Sequence, residues 1–348
     1  MKLVTFVVAA PVGAQQRLGV LAGDRIVDLT TAYATYLARA TDEPTPRELA
    51  QLRTPPDLIG WLRGQHKSRE AAEQAVAFAG SLGADARGLD DARLVFERGE
   101  VRLLAPLPRP NSLRDFSIFQ EHMSRREGAQ PKRASWYRWP PYYKGNPDAI
   151  IGPEDPIPFP SYSDKLDLEL EIGIIIGRGG RNLSLEQARQ AIAGYTILID
   201  CSARDPYLFE AEFLGPAKMK DWATVLGPCM VTADEVDEAK LDVRISVDGE
   251  TWFEGNTSAP RTFLAHHLVA YVSDNETLYP GDVLGTGTVS YSCSMDLHRW
   301  PRVGQRVRFD VSGIGTLEHT IVAGEQVVDY VRNGMDGLLQ APPELSTV

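Results

Sequence analysis

Three acidic residues alternate along the apolar stretch LDLELEIGIIIG, which begins at Leu166. Residues two apart on a strand share a face, so Asp167, Glu169 and Glu171 would line one side of a strand here. The next apolar run of the chain ends on Asp200, which could bring a further carboxylate beside them. Uncompensated carboxylates are costly to bury, so a half-buried strand tolerates this arrangement only where water or a cation neutralises it.

Two interpretations of these carboxylates remain open. Oxygen ligands, without Cys or His at ligand spacing, favour a hard cation over zinc: Mg²⁺ first, with Mn²⁺ or Ca²⁺ as alternatives. A Glu-x-Glu pair is also typical of the solvated face of an edge strand, and an Asp at a strand end is common in turns. The stretch by itself does not decide between a metal site and a solvated strand.

Further residue types suited to catalysis lie on either side of the acidic stretch. Asp115 and His122 are seven positions apart, and on a helix beginning near Asp115 this spacing is about two turns, which would place both on one face. Arg204 and Lys220 follow the carboxylates, where they could form salt bridges or bind an anionic substrate. A lysine beside a bound cation could also stabilise an enolate or carbanion.

The elements expected to position these residues are a strand, a turn, a short helix and a second strand. Ser184 and Gln187 form a capping-box pattern at the start of the helix, and Gly194 is placed to end it. Later in the chain, Asp248-Gly249 predicts a β-hairpin, residues 260–273 predict a helix, and alternating residues from Trp300 onward predict a closing β-meander.

The composition restricts the class of protein. With 348 residues, 43% hydrophobic and 24% charged, the chain is long enough for two domains and typical of globular proteins. Its net charge of −11 argues against nucleic acid or an anionic membrane as a partner. No apolar run approaches the length of a membrane span. Cys201, Cys229 and Cys293 have no metal or redox spacing, which predicts reduced thiols in a cytoplasmic protein.

A Pro-rich connector, APLPRPNS, begins at Ala105 and marks the predicted domain boundary. We expect residues 1–105 to form a smaller N-terminal α+β domain and residues 106–348 to form the catalytic domain. The N-terminal domain would begin with strands and a turn at Gly23-Asp24, followed by helices at 30–40, 56–65 and 68–82. The basic and aromatic segment 123–139 indicates a mobile loop or lid.

Several common catalytic motifs are missing from the sequence. It contains no GxSxG, HExxH or GxxxxGKS pattern, which argues against serine hydrolases, zinc peptidases and nucleotide-phosphate enzymes. The glycine-rich stretch YPGDVLGTGTVSYS does not satisfy GxGxxG and is not followed by a clear helix. A dinucleotide site is therefore unsupported.

Seven separated blocks of the chain resemble the fumarylacetoacetate hydrolase family. They are RDFSIFQEH (114–122), YKGNPDAIIGP (143–153), LDLELEIGIIIG (166–177), AGYTILIDCSARD (193–205), GPAKMKDWATVLGP (215–228), PGDVLGTGTV (280–289) and GIGTL (313–317). The resemblance covers roughly the last two thirds of the chain. It implies an α+β protein with a mixed β-roll, assembled as a homodimer and preceded here by the smaller N-terminal domain.

The resemblance also implies roles for single residues. The implied roles are divalent-cation binding by Glu169, Glu171, Asp200 and Asp115, water activation by His122, stabilisation of the departing carbanion by Lys220, and substrate contacts by Arg204 and Thr288. Lys144, in the second block, and Tyr207, just beyond the fourth, are further candidates for substrate binding.

The chain departs from the family pattern at three positions. Cys201 follows Asp200 where many members carry Trp. The glutamate that orients the histidine in longer members falls near Asp296, which is one methylene shorter. Shorter members carry a glutamate three residues after the histidine, where this chain has Arg125. Asp296 is therefore the candidate partner of His122.

The resemblance implies a hydrolase that cleaves a carbon–carbon bond in an acylpyruvate-like or other β-diketo acid through a metal-bound enolate, with water activated by His122. The alternative is a metal-dependent decarboxylase, isomerase or dehydratase of a 2-oxo acid on the same scaffold. A third hypothesis is a non-catalytic binding protein that retains the metal site. Product analysis separates the first two, and metal binding without turnover would favour the third.

Overall fold

The computed structural model describes residues 1–10, 13–83, 85–125, 134–205 and 215–326, which form a twelve-stranded sheet, a five-stranded sheet and helices. In these residues the strands are β1 (Lys2–Ala10), β2 (Gly13–Ala22), β3 (Arg25–Asp28), β4 (Val95–Glu97), β5 (Arg102–Leu104), β6 (Ser112–Phe116), β7 (Tyr142–Gly145), β8 (Ile150–Ile151), β9 (Ile157–Phe159), β10 (Leu166–Ile176), β11 (Ile192–Ala203), β12 (Thr224–Thr232), β13 (Asp242–Val247), β14 (Glu250–Asn256), β15 (Asp282–Gly285), β16 (Arg306–Val311) and β17 (Gly315–Ala323).

The helices lie around these sheets. They are α1 (Leu29–Ala40), α2 (Pro46–Arg53), α3 (Leu58–Arg63), α4 (Gln65–Ser81), α5 (Gln120–Arg125), α6 (Leu185–Ala191), α7 (Ala217–Lys220), α8 (Ala265–Ser273) and α9 (Ser294–Leu297), with 3₁₀ turns at Leu89–Asp91, Arg98–Glu100 and Ala134–Tyr137. The sheets and helices together confirm the α+β class. None of the helices in the described part of the chain is long and apolar enough to cross a membrane.

The large sheet places the acidic stretch near its middle. Its strand order is β4-β3-β2-β1-β12-β11-β10-β15-β6-β7, with β5 also pairing β1 and β8 also pairing β12. Strands β10 and β11 are antiparallel, whereas β15 and β6 are parallel. The small sheet has the order β14-β13-β16-β17-β9. Strands that are far apart in the sequence therefore meet around β10.

Strand β10 is buried along its whole length, so the half-buried strand expected from its alternation is wrong. Its leucines and isoleucines, among them Leu168, Leu170 and Ile172, join a core cluster that includes Ile197 and Ile199 of β11. The acidic face of the same strand contacts α7 and the segment that contains α9, as described below. Both faces of the strand are thus packed, and the carboxylates need internal partners.

The N-terminal residues largely follow the sequence pattern. The Gly23-Asp24 turn joins β2 to β3, and α1 begins at Leu29 with the Asp28 carboxylate accepting the Thr31 N–H at 3.0 Å. Strand β1 pairs with β12 through Lys2 and Val231, so these residues share the large sheet with the rest of the chain. The boundary at residue 105 remains a prediction.

Three local expectations are wrong. Asp115 lies on β6 and not on a helix with His122, which lies on α5. Helix α6 has the predicted Ser184–Gln187 capping box but ends at Ala191, and Gly194 lies inside β11. A Cβ atom at position 194 would lie 2.1 Å from the Val231 carbonyl oxygen, so this glycine permits close strand pairing. The helix predicted at 260–273 begins only at Ala265.

Candidate active site

A pocket of about 310 Å³ opens between the acidic face of the large sheet and the elements that cover it. It is lined by the predicted site residues Asp115, His122, Glu169, Glu171, Asp200, Arg204, Lys220 and Thr288, together with Phe116, Ser117, Pro141, Tyr142, Tyr143, Pro216 and Met219. Eight of the candidate residues therefore meet in one cavity, although they come from widely separated parts of the chain.

Asp115, Glu171 and Asp200 form a buried carboxylate cluster in this pocket. One oxygen from each lies within 4.8 Å of the others. Strand pairing explains why these carboxylates lie close together, because Asp115 pairs with Gly285 of β15, the strand between β6 and β10. A Cβ atom at position 285 would lie 2.4 Å from Asp115 Oδ1 and 2.6 Å from Glu171 Oε2, so only glycine leaves room for both carboxylates.

The electrostatics of this cluster fit a cation. Burial, reinforced by Asp115, raises the pKa of Glu171 well above its usual value. Burial also raises the pKa of Asp200, with Lys220 opposing and Asp115 adding to the effect. Asp115 Oδ1 and Asp200 Oδ1 are buried, and neither has a hydrogen-bond partner among the described residues. A set of crowded carboxylates with free oxygens suits a hard divalent cation.

Glu169 is bound differently, although it was predicted as a ligand of the same cation. Its Oε1 accepts hydrogen bonds from Arg204 and, at 2.9 Å, from Thr288; its Oε2 accepts from Lys220 and, at 3.1 Å, from Ser202. Burial opposes ionisation, but the charges of Arg204 and Lys220 outweigh it and hold the pKa of Glu169 well below its usual value. Glu169 is thus an ionised carboxylate surrounded by donors, and its role as a metal ligand remains a prediction.

Lys220, at the end of α7, connects the two acidic strands. Its ammonium hydrogen-bonds both Glu169 and Asp200. Burial disfavours the charged amine, but Asp200 and Glu169 outweigh burial and raise the pKa of Lys220. Tyr143, on β7, donates its hydroxyl to Asp200 Oδ2 at 2.9 Å. The positively charged ammonium of Lys220 therefore lies between the carboxylates of Glu169 and Asp200.

His122 and Asp296 form a histidine–carboxylate pair at the other side of Glu169. His122 Nδ1 lies 3.0 Å from Asp296 Oδ2, so the shorter aspartate reaches the imidazole. An ionised carboxylate can only accept, which places the proton on Nδ1 and leaves the Nε2 lone pair as a base. Nε2 lies 3.4 Å from Glu169 Oε1.

The short helix α9 positions Asp296. Cys293 caps its N-terminus, with the thiol sulfur accepting the Asp296 N–H at 3.4 Å. The Ser294 N–H donates to Asp167 Oδ1 at 2.6 Å, which attaches the helix to the acidic strand. Asp167 also accepts Arg204 Nε at 2.8 Å. Arg204 thus links Asp167 to Glu169, and its role as a substrate contact remains a prediction.

One of the substrate-contact candidates, Lys144, does not line the pocket. Lys144 follows Tyr143 on β7 and is 68% exposed at the side chain, with its ammonium 3.6 Å from Glu276 instead of lining the pocket. Tyr207 lies outside the described residues, as do residues 126–133 of the segment predicted to form a lid.

Sequence reasoning missed Tyr143, Ser202 and Cys293 as site residues, and it placed Asp167 on the acidic face without a role of its own. Tyr143 could have been found, because it pairs with Asp115 across β6 and β7 and therefore shares the face of the cluster. Ser202 likewise lies opposite Asp167 on β11. Cys293 carries no comparable pattern, since its place depends on how the segment before α9 folds.

Comparison with known proteins agrees with this fold. Residues 114–322 match the family described as fumarylacetoacetate (FAA) hydrolase C-terminal. The mitochondrial oxaloacetate tautomerase fahd2 of Xenopus laevis is 29% identical over 301 residues, which are 82% of this chain and 88% of that protein.

Two solved structures have a similar fold. The fumarylacetoacetate hydrolase of Exiguobacterium antarcticum is 26% identical, with a TM-score of 0.65 over 93% of this chain and 99% of that chain. Maleylpyruvate hydrolase from Sphingobium sp. SYK-6, in complex with manganese(II) ion and pyruvate, is 24% identical, with a TM-score of 0.66 over 93% of this chain and 100% of that chain. The family match over residues 114–322 confirms the resemblance found in the sequence, and the chain belongs to the fumarylacetoacetate hydrolase family.

Proposed function

We propose that this chain is a divalent-cation-dependent hydrolase that cleaves a carbon–carbon bond in an acylpyruvate-like or other β-diketo acid. The observation that carries the proposal is the 3.0 Å contact between His122 Nδ1 and Asp296 Oδ2 in the pocket that also holds the carboxylate cluster. A base for water and a site for a 2-oxo acid are the two requirements of this reaction.

The residues proposed to hold the cation are Asp115, Glu171 and Asp200, with Glu169 as a further ligand. Their crowding and the free oxygens of Asp115 and Asp200 support this assignment. The manganese and pyruvate bound to maleylpyruvate hydrolase also support a divalent cation, with Mg²⁺ expected first and Mn²⁺ or Ca²⁺ as alternatives. Such a cation, when bound, supplies Lewis acidity toward the oxygens of a 2-oxo acid.

His122 is proposed to act as the general base. Asp296 holds the imidazole with Nδ1 protonated, so Nε2 can take a proton from water while the water oxygen attacks the distal carbonyl carbon. The Asp296 carboxylate then stabilises the imidazolium. The carbon–carbon bond breaks with its electron pair moving onto the pyruvyl carbon and oxygen, and the imidazolium proton is available to that carbon.

Lys220 and Arg204 are proposed to balance the negative charge that develops on the departing enolate. Lys220 is already charged and lies between Glu169 and Asp200, so its ammonium needs little reorganisation to meet an anionic oxygen. Thr288 lines the same pocket, and its hydroxyl, which donates to Glu169, can accept a hydrogen bond from substrate. The products are two carboxylic acids.

A second candidate is a tautomerase, isomerase or decarboxylase of a 2-oxo acid at the same residues. It is supported by the similarity to the oxaloacetate tautomerase of Xenopus laevis over 82% of this chain. Keto–enol exchange needs proton transfer to and from carbon, which His122 and Lys220 could perform without activated water.

The test is a panel of acylpyruvates, β-diketo acids and oxaloacetate, followed by ultraviolet absorbance and product analysis with Mg²⁺ or Mn²⁺ and then with EDTA. Metal-dependent formation of two acids supports the hydrolase. Enol–keto exchange at constant mass, or release of carbon dioxide, would replace it with the second candidate. If the His122→Ala and Glu169→Ala proteins turn over like the wild type, the assignment of this site is wrong.

We also propose that the protein is a homodimer, as is usual in the family, and light scattering on the purified protein tests this.

All three cysteines are free and buried, which supports the reduced, cytoplasmic setting proposed for the chain.

A further inference from the structure

A sulfur and a carboxylate both approach one ring nitrogen behind the pocket, at a place distinct from the cluster of Asp115, Glu171 and Asp200. Cys293 Sγ lies 3.9 Å from His122 Nδ1, and the same nitrogen lies 3.0 Å from Asp296 Oδ2. All three side chains are buried. The proposed reaction uses the His122–Asp296 pair but gives no role to the thiol.

The spacing of these atoms suits a tetrahedral metal ion. With a Zn–S bond of about 2.3 Å and a Zn–N bond of about 2.0 Å, a sulfur and a nitrogen on one ion are about 3.5 Å apart. The observed separation of 3.9 Å needs only a small inward shift. One atom from each of His122, Glu169 and Cys293 also lies within 4.8 Å of the others.

A free ligand atom is present at this place. Asp296 Oδ1 is buried and, within the described part of the chain, has no hydrogen-bond partner. Its side chain is 1% exposed. Buried carboxylate oxygens are rarely left without a partner, so this oxygen can accept a cation at no cost in existing hydrogen bonds. The oxygens of Glu169, by contrast, already accept from Arg204 and Lys220.

We propose that Cys293, His122 and Asp296 form a second cation site, specific for thiophilic divalent ions such as Zn²⁺ and Cd²⁺, and that its occupation inhibits the enzyme. The donor set of sulfur, nitrogen and oxygen selects these ions, whereas the oxygen-only cluster nearby selects Mg²⁺ or Mn²⁺. On binding, the thiol releases its proton to solvent, the ion takes the place of the Nδ1 proton that Asp296 holds, and that proton moves to Nε2. The imidazole is then fixed on the ion and can no longer act as a base.

The site is tested first without any assay of activity. Cd²⁺ is titrated into the full-length protein in excess Mg²⁺, and the ultraviolet thiolate-to-cadmium charge-transfer band is measured. In the wild type we expect the band to saturate at one Cd²⁺ per chain. The band should be lost in Cys293→Ser and retained in Cys229→Ser. Cys229 is a matched control because it is equally buried but lies on β12, with its sulfur 3.6 Å from the Ile314 carbonyl oxygen.

Either of two results overturns the site: no band in the wild type, or an unchanged band in Cys293→Ser. If Cys293→Ser does not fold, as judged by circular dichroism, Cys293→Ala and Asp296→Asn replace it. Asp296→Asn keeps the thiol but should weaken Cd²⁺ binding by about tenfold or more, because it removes one ligand charge. Wild-type Cd²⁺ affinity in that variant would exclude Asp296 from the site.

The inhibition by the second ion rests on the proposed function and is measured separately. Each protein is compared with its own rate before Zn²⁺ is added. We expect half-inhibition of Cys293→Ser to need about tenfold more Zn²⁺ than the wild type, and excess Mg²⁺ not to relieve wild-type inhibition. Inhibition that is equal in both proteins would overturn the inhibitory role. Absence of any turnover would instead contradict the proposed function, while the cadmium band still decides the site.

Discussion

Glu169 and Asp200 lie directly opposite each other on β10 and β11, and the ammonium of Lys220 hydrogen-bonds both. Like charges in opposed positions on neighbouring strands destabilise a sheet, and burial increases that cost. One buried cation thus lets two carboxylates stay close together in a pocket.

Replacing Lys220 with methionine should lower turnover by about 100-fold or more, because the cation that would meet the enolate is lost. It should also destabilise the fold by roughly 3 kcal/mol, since two buried carboxylates lose a shared partner. Steady-state kinetics and urea unfolding measure these effects. Lys218→Met is the matched control, because Lys218 is exposed on the same short helix. Equal activity in the two variants would contradict the role of Lys220.

Replacing Asp296 with asparagine should lower the maximal rate by about 100-fold, because the amide does not stabilise the imidazolium and does not fix the protonated nitrogen. Asp296→Glu should recover part of the rate, since a carboxylate is restored. The double variant with His122→Ala should be little worse than His122→Ala alone, because the pair acts as a unit. If the rate losses of the two single variants multiply in the double variant, the two residues do not work together.

Replacing Gly285 with alanine should weaken Mn²⁺ binding by about tenfold or more, because the new methyl group would collide with Asp115 and Glu171. Isothermal titration calorimetry on protein treated with EDTA gives the affinity directly. Gly80→Ala is the control, since a Cβ atom there meets nothing within 4 Å. If Gly285→Ala binds Mn²⁺ with wild-type affinity, Asp115 and Glu171 are not ligands of the cation.

The stability of the protein should fall in mild acid through His319, which lies on β17. Burial lowers its pKa, although a hydrogen bond from Nδ1 to the Asp155 carbonyl at 2.7 Å acts in the opposite direction. The unfolded chain, with a histidine pKa of about 6.5, then binds the proton more readily. The stabilisation is complete above that pH and is lost as pH falls toward the lower folded-state pKa.

Urea unfolding at neutral and mildly acidic pH checks this expectation. The decrease in unfolding free energy between the two pH values should be smaller in His319→Gln than in the wild type. The exposed His66 provides the comparison, and His66→Gln should show the wild-type decrease. An undiminished decrease in His319→Gln would show that another group causes the acid sensitivity.

The sequence by itself determined the family, the α+β class and most of the residue types in the pocket. Alternation along β10 was sufficient to place Glu169 and Glu171 on one face, because the period of a strand is fixed by its backbone. The capping box at Ser184 was likewise predictable, since its hydrogen bonds join residues only three apart. These features depend on local geometry.

The tertiary structure decided which of these residues are partners. The sequence indicated Asp296 as the partner of His122 only through the family pattern, and the observed contact joins residues 174 positions apart. Asp115 was expected on a helix with His122, but pairing with β15 makes it part of a strand beside Glu171. The separation of Glu169 from the carboxylate cluster also depends on Arg204 and Lys220, which arrive from other elements. Contacts of this kind have no period along the chain, because they depend on how distant strands and short helices pack.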